Sequence, residues 1–491
     1  MTPNLNPAGT TADDVRVLQG MGYKQELSRS MRPFSNFAIS FSIICILSGG
    51  INSLHQGIAG VGGGAIGIGW LVGCAVCLVF ALGMAQIGSA FPTAGGLYHW
   101  SSILGGRGWG WLTAWLNLLG LVTVMGAINV GTFGFFIGAF GSALGLEANF
   151  QTQAIFVVGI TAVQALVNHF GIKLTAFLTD ISGYLIFATA AVLTIALLVY
   201  APSWDLSRLV SFKNYSGAAG ADTWPQTTSL LMLFGLGLLL PIYTITGFDA
   251  SAHTAEETMG ASSAVPKGIV TSVLWSALFG WLMLSAFVIA IPDMDKAAAS
   301  GSGVFYATTA AVLPATLKTL LFVAILLSQF LCGLATVTSA SRMIFAFARD
   351  GGLPASPMLK KVHPTLLSPV AAIWTGSIIS VLFTLYTPAY TTIVSVTVIF
   401  IFLSYCLPIA IGGFAYGNTW TRMGPWDMGP AFRLVSVLAV LCVALIFFLG
   451  VQPPNDAALN ITLVFLAITA VVWFGFERRR FKGPPPTQLK N

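Results

Sequence analysis

The stretch YTITGFDASAHTAEET, residues 243–258, interrupts one of the most apolar segments of the chain. It follows LLMLFGLGLLLPI, residues 230–242, with no loop-forming sequence between them. A glycine, an aspartate, a histidine and two glutamates therefore continue what begins as an apolar helix. Ionisable side chains inside such a helix cost free energy and are typical of functional positions in membrane proteins.

The composition is that of a membrane protein. Hydrophobic residues make up 56% of the 491 positions, charged residues only 8%, and the mean hydropathy is +0.84. Between Arg32 and Arg107 there is no Asp, Glu, Lys or Arg, which leaves room for two membrane crossings of about 20 residues each. A soluble protein of this size needs far more polar surface. We therefore expect an integral membrane protein.

Twelve apolar segments with few or no charges are candidates for membrane crossings. We name them spans 1 to 12 in chain order. They cover residues 34–58, 65–89, 108–136, 152–169, 174–200, 227–253, 268–291, 317–344, 368–386, 391–413, 432–450 and 461–476. A backbone exposed to lipid must satisfy its own hydrogen bonds, and these segments lack the short alternating pattern of barrel strands. The predicted fold class is an all-α integral membrane protein with twelve transmembrane helices.

Lysine and arginine predict the orientation. If both termini are cytoplasmic, only four of the 22 basic residues lie outside, namely Arg208, Lys213, Lys296 and Lys318. We expect a multi-pass protein of the plasma membrane, and specifically of a bacterial inner membrane. Residues 1–33 are predicted to form a cytoplasmic tail, and residues 477–491 a basic cytoplasmic tail in contact with anionic lipid. The net charge of +6 then needs no nucleic acid partner.

No motif indicates an enzyme. Cys74 and Cys77 have CxxC spacing, but neither a second pair nor a nearby histidine completes a metal site. The glycine-rich residues 60–69 follow no strand and lack the GK[ST] of a phosphate-binding loop. We expect no catalytic residue, no metal and no cofactor.

Spans 1 and 6 carry matching irregularities. Span 1 contains LSGGIN, residues 47–52, and span 6 contains ITGFDA, residues 245–250. Glycine costs about 1 kcal/mol relative to alanine inside a helix, and close helix packing alone would explain a single glycine pair. Interruptions in helices 1 and 6 together indicate a five-plus-five inverted repeat with a binding site near the membrane midplane. Residues 34–413 would then form the core, and residues 414–476 two additional helices.

Such interruptions suit a zwitterionic ligand. Free amides at the start of the outer half of span 1 attract a carboxylate, and free carbonyls at the end of the first half of span 6 accept hydrogen bonds from an ammonium. The pattern favours an amino acid without specifying which one.

Five stretches, in the right order, resemble a known family. They are residues 21–53, residues 91–106 (FPTAGGLYHWSSILGG), the opening stretch 243–258, residues 337–357 (VTSASRMIFAFARDGGLPASP) and residues 424–430 (GPWDMGP). In these the chain is similar to the amino acid/choline transporter family, a branch of the amino acid-polyamine-organocation superfamily, and especially to its bidirectional amino acid and GABA permeases. The resemblance implies the leucine-transporter fold, with helices 1 and 6 interrupted.

The function that the resemblance implies is secondary active transport of an amino acid or a related amine such as GABA, by alternating access. A choline or polyamine permease, an amino acid exchanger and a non-transporting substrate sensor are the alternatives. A channel is disfavoured, because the spans hold too few polar residues to line a continuous pore.

The resemblance also assigns substrate contacts to both interruptions. The span 1 motif, expected to bind the substrate carboxylate through backbone amides, falls on Ser48, Gly49, Gly50, Ile51 and Asn52. The span 6 motif, expected to hold the amino group through carbonyls, falls on Thr244, Ile245, Thr246, Gly247, Phe248 and Asp249. Tyr243 or Phe248 is expected to form an aromatic gate, with helix packing as the alternative explanation for each ring.

Proton coupling is the favoured mode. Asp249 matches an acidic position that several relatives use for gating or proton sensing, and His253 lies four residues later on the same helical face, where it can share a proton. Asp180 is a second intramembrane acid and a second candidate, unless it only pairs with Lys173 or another basic residue. Some proton-coupled relatives carry a lysine inside helix five, whereas Lys173 lies at the cytoplasmic end of span 5.

Two further expectations concern the partners of this machinery. Sodium coupling, or exchange, is held in reserve, with sodium ligated by the span 8 hydroxyls of Thr336, Thr338 and Ser339, which otherwise bond to their own helix. Glu256 and Glu257 are expected to close the inner gate by pairing with a basic residue such as Lys267, Arg342 or Arg349.

Overall fold

The spans are helical. The computed structural model describes residues 12–217, 223–387 and 389–487, and within these ranges ten helices are long and apolar enough to cross a membrane. Two shorter apolar helices, Leu230–Thr244 and Val370–Tyr386, lie at predicted spans 6 and 9. The all-α membrane architecture is thus confirmed, while the count of twelve crossings and the inverted repeat stay predictions. Residues 1–11 and 488–491 of the predicted tails lie outside the described residues.

Each predicted span coincides with helical structure. Spans 2 to 5 correspond to Ala65–Ala90, Arg107–Leu144, Phe150–His169 and Ile172–Tyr200. Spans 7 to 12 correspond to Ala261–Ala290, Ala315–Arg349, Val370–Tyr386, Tyr390–Ala415, Ala431–Gly450 and Asp456–Arg480. Span 7 begins earlier than predicted because the Asp14 carboxylate accepts hydrogen bonds from the Gly260 and Ala261 amides, which stabilises its first turn.

Spans 1 and 6 are interrupted. Span 1 comprises Pro33–Ile44, Gly49–Asn52 and Leu54–Val61. Span 6 comprises Leu230–Gly237, Leu239–Thr244 and Ala250–His253. The longest non-helical stretches are therefore residues 45–48 in span 1 and 245–249 in span 6, and Ser53 and Leu238 are single-residue breaks. In span 1 the interruption precedes the glycine pair: Cys45 has a φ of +24°, and Gly49 already begins the next helical turn.

The interrupted spans lie near the centre of the bundle. In the most apolar 18-residue stretch of each helix, 89% of the residues are buried in spans 1 and 3, against 28% in span 11 and 17% in span 12. Spans 11 and 12 therefore lie at the periphery, where most of their side chains face lipid.

Both ends of the described chain lie at one end of the bundle, which we call the terminal face. The Phe481 ring packs against Phe347 of span 8, with ring centroids 5.8 Å apart, and the Phe481 carbonyl accepts a hydrogen bond from Arg107 at the start of span 3. Thr487 Oγ1 donates to the carbonyl of Gly20 at 3.4 Å. The terminal face corresponds to the side predicted to be cytoplasmic.

Gly247 offers a test of the span 6 interruption. Its backbone φ of +90° is one that residues with a side chain rarely adopt, and a Cβ at this position would lie 2.1 Å from Ile43 Cγ2. Gly247→Ala is expected to lower the thermal midpoint, because the backbone strain alone costs about 1–2 kcal/mol. The matched control is Gly159→Ala on span 4, where a Cβ meets nothing within 4 Å. Equal midpoints for the two purified variants would contradict the described geometry.

Candidate functional site

The two interruptions face each other across a very short distance. A Cβ on Gly49 would lie 2.8 Å from Thr244 Cα, so only a glycine allows the two backbones to approach this closely. Gly247 makes the equivalent close approach to Ile43 of span 1. Span 1 and span 6 therefore meet where each helix is interrupted.

Side chains of neighbouring spans satisfy the freed backbone groups. Gln329 Nε2 of span 8 donates to the Leu47 carbonyl at 2.9 Å. Ser40 Oγ of span 1 donates to the Phe248 carbonyl at 2.9 Å, and the Gly247 amide donates to the Tyr405 hydroxyl of span 10 at 3.1 Å. Non-helical backbone is tolerated at membrane depth only with such partners or at a cavity.

A small cavity of about 10 Å³ lies between the interruptions. Spans 1, 3 and 6 line it through Ile43, Ile44, Ser48, Gly49, Val124, Ile128, Tyr243, Thr244 and Thr246. Its size suffices for about one water molecule. The described conformation is therefore closed around this point, and a ligand the size of an amino acid requires the walls to move apart.

The structure brings together five of the predicted contact residues and places the others elsewhere. Ser48, Gly49, Tyr243, Thr244 and Thr246 line the cavity. The other predicted residues do not line the cavity. A Cβ on Gly50 would contact Leu284, Thr244 and Trp70 instead. Ile51 and Asn52 line a larger opening, and the remaining predicted residues are buried without lining the cavity, namely Ile245, Gly247, Phe248 and Asp249. Sequence reasoning missed Ile43, Ile44, Val124 and Ile128.

A wider vestibule opens on the side away from the terminal face. Its volume is about 520 Å³, and its lining includes Asn52, His55, Tyr306 and Tyr390. Tyr390 meets Tyr243 edge to face, with centroids 6.2 Å apart, and its hydroxyl lies 3.0 Å from Ser53 Oγ. Because Tyr243 lines the cavity and Tyr390 the vestibule, this pair of rings separates the two spaces.

Two other observations narrow the choice of site. The Phe248 ring packs on Tyr405 at 4.8 Å, so among the two predicted gate rings only Tyr243 reaches the cavity. Another cavity, of about 630 Å³, lies between spans 10 and 11 against exposed apolar side chains such as Val437 and Leu441. It contains no residue of either interruption and is not the candidate site.

Asp249 sits in a fully buried polar cluster beside the cavity. The Tyr405 hydroxyl donates to Asp249 Oδ1 at 2.7 Å, and Asn117 Nδ2 donates to Oδ2 at 3.1 Å. His253 Nε2 lies 3.2 Å from the same Oδ2. Neither Tyr405 nor Asn117 was predicted, since no motif distinguishes either one from the other polar residues scattered along spans 3 and 10.

Asp249 and His253 are placed so that they can share a proton. His253 Nδ1 lies 3.2 Å from the Ala94 carbonyl, which can only accept, so this contact is a hydrogen bond when Nδ1 carries the hydrogen. A further hydrogen between Nε2 and Asp249 would then give either imidazolium with carboxylate or neutral imidazole with carboxylic acid. This arrangement can store a proton without an unpaired charge in the membrane interior.

The other predicted coupling residues are engaged differently. Asp180 is half-buried near the terminal face, where it accepts a hydrogen bond from Ser35 Oγ at 3.0 Å. Thr336 Oγ1 donates to the carbonyl of Cys332, and Thr338 Oγ1 to Asn168 Oδ1 at 2.7 Å. The Ser339 hydroxyl has no partner among the described residues. Throughout the residues that the structure describes, no three His, Cys, Asp or Glu side chains lie close enough together to hold a metal ion.

Two buried ion pairs close the terminal face below the cavity. Arg349 binds Glu256 through two hydrogen bonds of 2.8 and 2.9 Å, and Arg342 binds Glu257 through bonds of 2.9 and 3.1 Å. The prediction that these glutamates pair with Arg342 or Arg349 is confirmed, and Lys267 takes part in neither pair. Burial raises the pKa of Glu256, but Arg349 and the Ala94 amide outweigh burial and hold that pKa below its ordinary value.

Comparison with known proteins finds a matching family and several similar sequences. A family model described as amino acid permease matches residues 32–476. The chain is 32% identical to amino-acid permease BAT1 of Arabidopsis thaliana, over 95% of each sequence. It is 31% identical to the BAT1 homolog of Oryza sativa subsp. japonica, over 95% of this chain and 94% of the relative. It is 28% identical to the GABA-specific permease of Saccharomyces cerevisiae, over 89% and 80% respectively.

The ion pair between Arg349 and Glu256 should be stabilising at neutral pH. Arg349→Gln leaves a buried carboxylate without its counter-charge and is expected to cost about 3–5 kcal/mol, more than the double variant Glu256→Gln/Arg349→Gln. Thermal unfolding of the purified proteins measures this, with Arg480→Gln in the exposed pair with Glu477 as the control that changes little. A double variant less stable than Arg349→Gln would contradict the assignment.

The same pair should be insensitive to pH in the neutral range. A depressed carboxyl pKa contributes stability that is complete above the ordinary value of 4.5 and is lost only as the pH falls through the lower folded-state pKa. The contribution of this pair to the wild-type midpoint is therefore expected to stay constant between about pH 6 and pH 8. In Arg349→Gln, burial without the counter-charge raises the pKa of Glu256, so the midpoint deficit of the variant is expected to shrink as the pH falls through this range.

Proposed function

Because the chain belongs to the amino acid permease family, whose members are transporters rather than enzymes, we propose that it moves an amino acid or a related amine such as GABA across the membrane by alternating access, coupled to protons. The observation that carries this proposal is the closed cavity between the two helix interruptions, with a vestibule on one side and buried ion pairs on the other. The relatives named are from plants and yeast, so the bacterial inner membrane stays a prediction.

The lining of the cavity favours a zwitterion. It contains backbone and hydroxyl groups from Ser48, Thr244 and Thr246 but no charged side chain. No side chain caps the helical turn that begins at Gly49. In the closed conformation the Ser48 and Gly49 amides donate to the Cys45 carbonyl at 2.7 and 3.2 Å, and we infer that a bound carboxylate replaces this carbonyl as their acceptor. The carbonyls around Thr244 lie opposite, where they can accept from an ammonium.

The alternatives fit this lining less well. A polyamine carries several positive charges, and the nearest acid, Asp249, lies behind the lining with its donors already in place. Choline could place its cation on the Tyr243 ring, but it has no N–H to donate to the carbonyls and no carboxylate for the amides. An amino acid uses both sets of backbone groups.

Alternating access requires a gate on each side of the cavity. On the vestibule side, Tyr243 and Tyr390 form the barrier, and rotation of one ring would open it. On the terminal face, the pairs of Glu256 with Arg349 and Glu257 with Arg342 must separate. In the described conformation both barriers are closed, as in an occluded intermediate.

The contact between Asp249 and His253 supports proton rather than sodium coupling. The two side chains can hold a proton in a buried site, and Asp249 lies three residues after the cavity-lining Thr246. The sodium alternative rests on the hydroxyl oxygens of Thr336, Thr338 and Ser339, among which no acidic side chain of the described residues supplies a counter-charge. Exchange without a driving ion is the remaining alternative.

Transport in proteoliposomes tests the substrate class and the site together. Counterflow with a panel of amino acids, GABA, choline and polyamines is expected to show competition among amino acids or GABA. Val124→Phe should reduce all uptake by roughly tenfold or more, because the ring fills the cavity. Val124→Ala, the matched control, should keep uptake and shift it toward larger substrates.

Two results would count against this proposal. A polyamine that binds without competition from any amino acid would overturn the substrate class. Unchanged uptake in properly folded Val124→Phe would place the substrate outside the cavity between the interruptions.

Asp249 and Asp180 provide a test of coupling. Asp249→Asn mimics the protonated acid, so it is expected to retain exchange of internal for external substrate while losing net uptake driven by a pH gradient. Asp180→Asn, the matched control, should retain both activities. If Asp180→Asn alone loses gradient-driven uptake, Asp180 is the proton carrier. If both variants still concentrate substrate in response to a pH gradient, a sodium gradient or exchange becomes the better account.

A further inference from the structure

The segment that precedes span 1 lies across the terminal face rather than extending away from it. Residues 22–31, which we call the strap, run beneath the connection between spans 6 and 7. The strap side chains of Tyr23, Leu27, Arg29 and Met31 are buried. A segment outside the membrane spans thus buries these side chains, while Lys24 and Glu26 of the same segment are exposed.

One side of the strap is fixed to the connection between spans 6 and 7. The Met31 amide donates to the Glu257 carbonyl at 2.9 Å, and the Met259 amide donates to the Met31 carbonyl at 3.0 Å. Arg29 Nη1 donates to the carbonyls of Ala255 and Thr258, at 3.2 and 2.5 Å. These contacts hold the backbone on both sides of the gate residues Glu256 and Glu257.

The other side of the strap reaches the end of span 8 through Tyr23. The Tyr23 hydroxyl donates to Asp350 Oδ2 at 2.8 Å. The guanidinium carbon of Arg349 lies 3.9 Å from the centre of the Tyr23 ring. The His99 ring also stacks on the Tyr23 ring, with ring centroids 5.1 Å apart. Tyr23 therefore contacts the same arginine that pairs with Glu256.

We propose that the strap is a working part of the inner gate, in which Tyr23 and Arg29 tie the connection between spans 6 and 7 to the end of span 8 and so hold the gate closed. This role rests on the alternating access proposed above. Opening the terminal face separates Glu256 from Arg349, and the strap spans that separation. Inward opening therefore requires Tyr23 to leave Asp350 as well as the ion pairs to break.

Tyr98 provides a matched comparison within the structure. Its hydroxyl also donates to Asp350 Oδ2 at 2.8 Å, but it belongs to the helix Leu97–Gly105 after span 2 and not to the strap. Tyr23→Phe and Tyr98→Phe each remove one phenol donor from the same oxygen and keep the ring. Only Tyr23→Phe removes the hydrogen bond between the strap and Asp350, while its ring keeps the contact with Arg349.

Hydrogen–deuterium exchange of the purified full-length protein tests the proposal without any substrate. In Tyr23→Phe, exchange of residues 23–31 and 254–260 is expected to rise roughly tenfold, while exchange of the distant residues 58–66 stays at the wild-type rate. Tyr98→Phe should leave residues 23–31 unchanged. Arg29→Gln, which frees the strap from the other side, should reproduce the Tyr23→Phe pattern.

Equal exchange in Tyr23→Phe and the wild type, or equal effects of Tyr23→Phe and Tyr98→Phe on residues 23–31, would overturn the role of the strap. A rise at residues 58–66 as well would indicate general destabilisation and would also count against it. These outcomes do not depend on transport, so a failure of the proposed substrate or coupling ion remains distinguishable from a failure of the strap.

Discussion

The structure depends on one constraint: two helices are interrupted inside an apolar environment, and the backbone groups they expose need partners. Water is not there to supply them. Gln329, Ser40 and Tyr405 each reach across from another part of the bundle to one of these groups. Other backbone groups of the two interruptions border the small cavity, where a ligand of the proposed class would find hydrogen-bonding partners.

These partners also connect the cavity to the gate on the terminal face. Tyr405 bonds both to the backbone of span 6 and to Asp249, and His253 bonds both to Asp249 and to the loop before Leu97–Gly105. The loop residue Ala94 offers its carbonyl to His253 and its amide to Glu256. The linked groups are, in order, Gly247, Tyr405, Asp249, His253, Ala94, Glu256 and Arg349. Under the proposed proton coupling, a change of protonation at Asp249 and His253 would act on groups that share a loop with Glu256.

The sequence predicts the spans well because membrane segments are defined by a property that a single sequence displays, the absence of charge over about 20 residues. It also locates the span 6 interruption, since Gly247 and Asp249 are exceptional within an apolar helix. It misplaces the start of the span 1 interruption, because the glycine pair is conspicuous whereas Cys45, the residue with positive φ, is not. The role of Gly49 lies in its close approach to Thr244, which only the packed structure reveals.

The candidate site could be predicted only in part for a similar reason. Val124 and Ile128 line the cavity, yet they are ordinary residues of an apolar helix and form no motif. Tyr405 and Gln329 become important through contacts with residues more than a hundred positions away. The most direct measurement of the central claim is a cryo-electron microscopy structure with a transported amino acid bound. The account predicts density between Ser48 and Thr244, with the carboxylate toward the Gly49 turn, whereas an amino acid bound only in the vestibule or between spans 10 and 11 would contradict it.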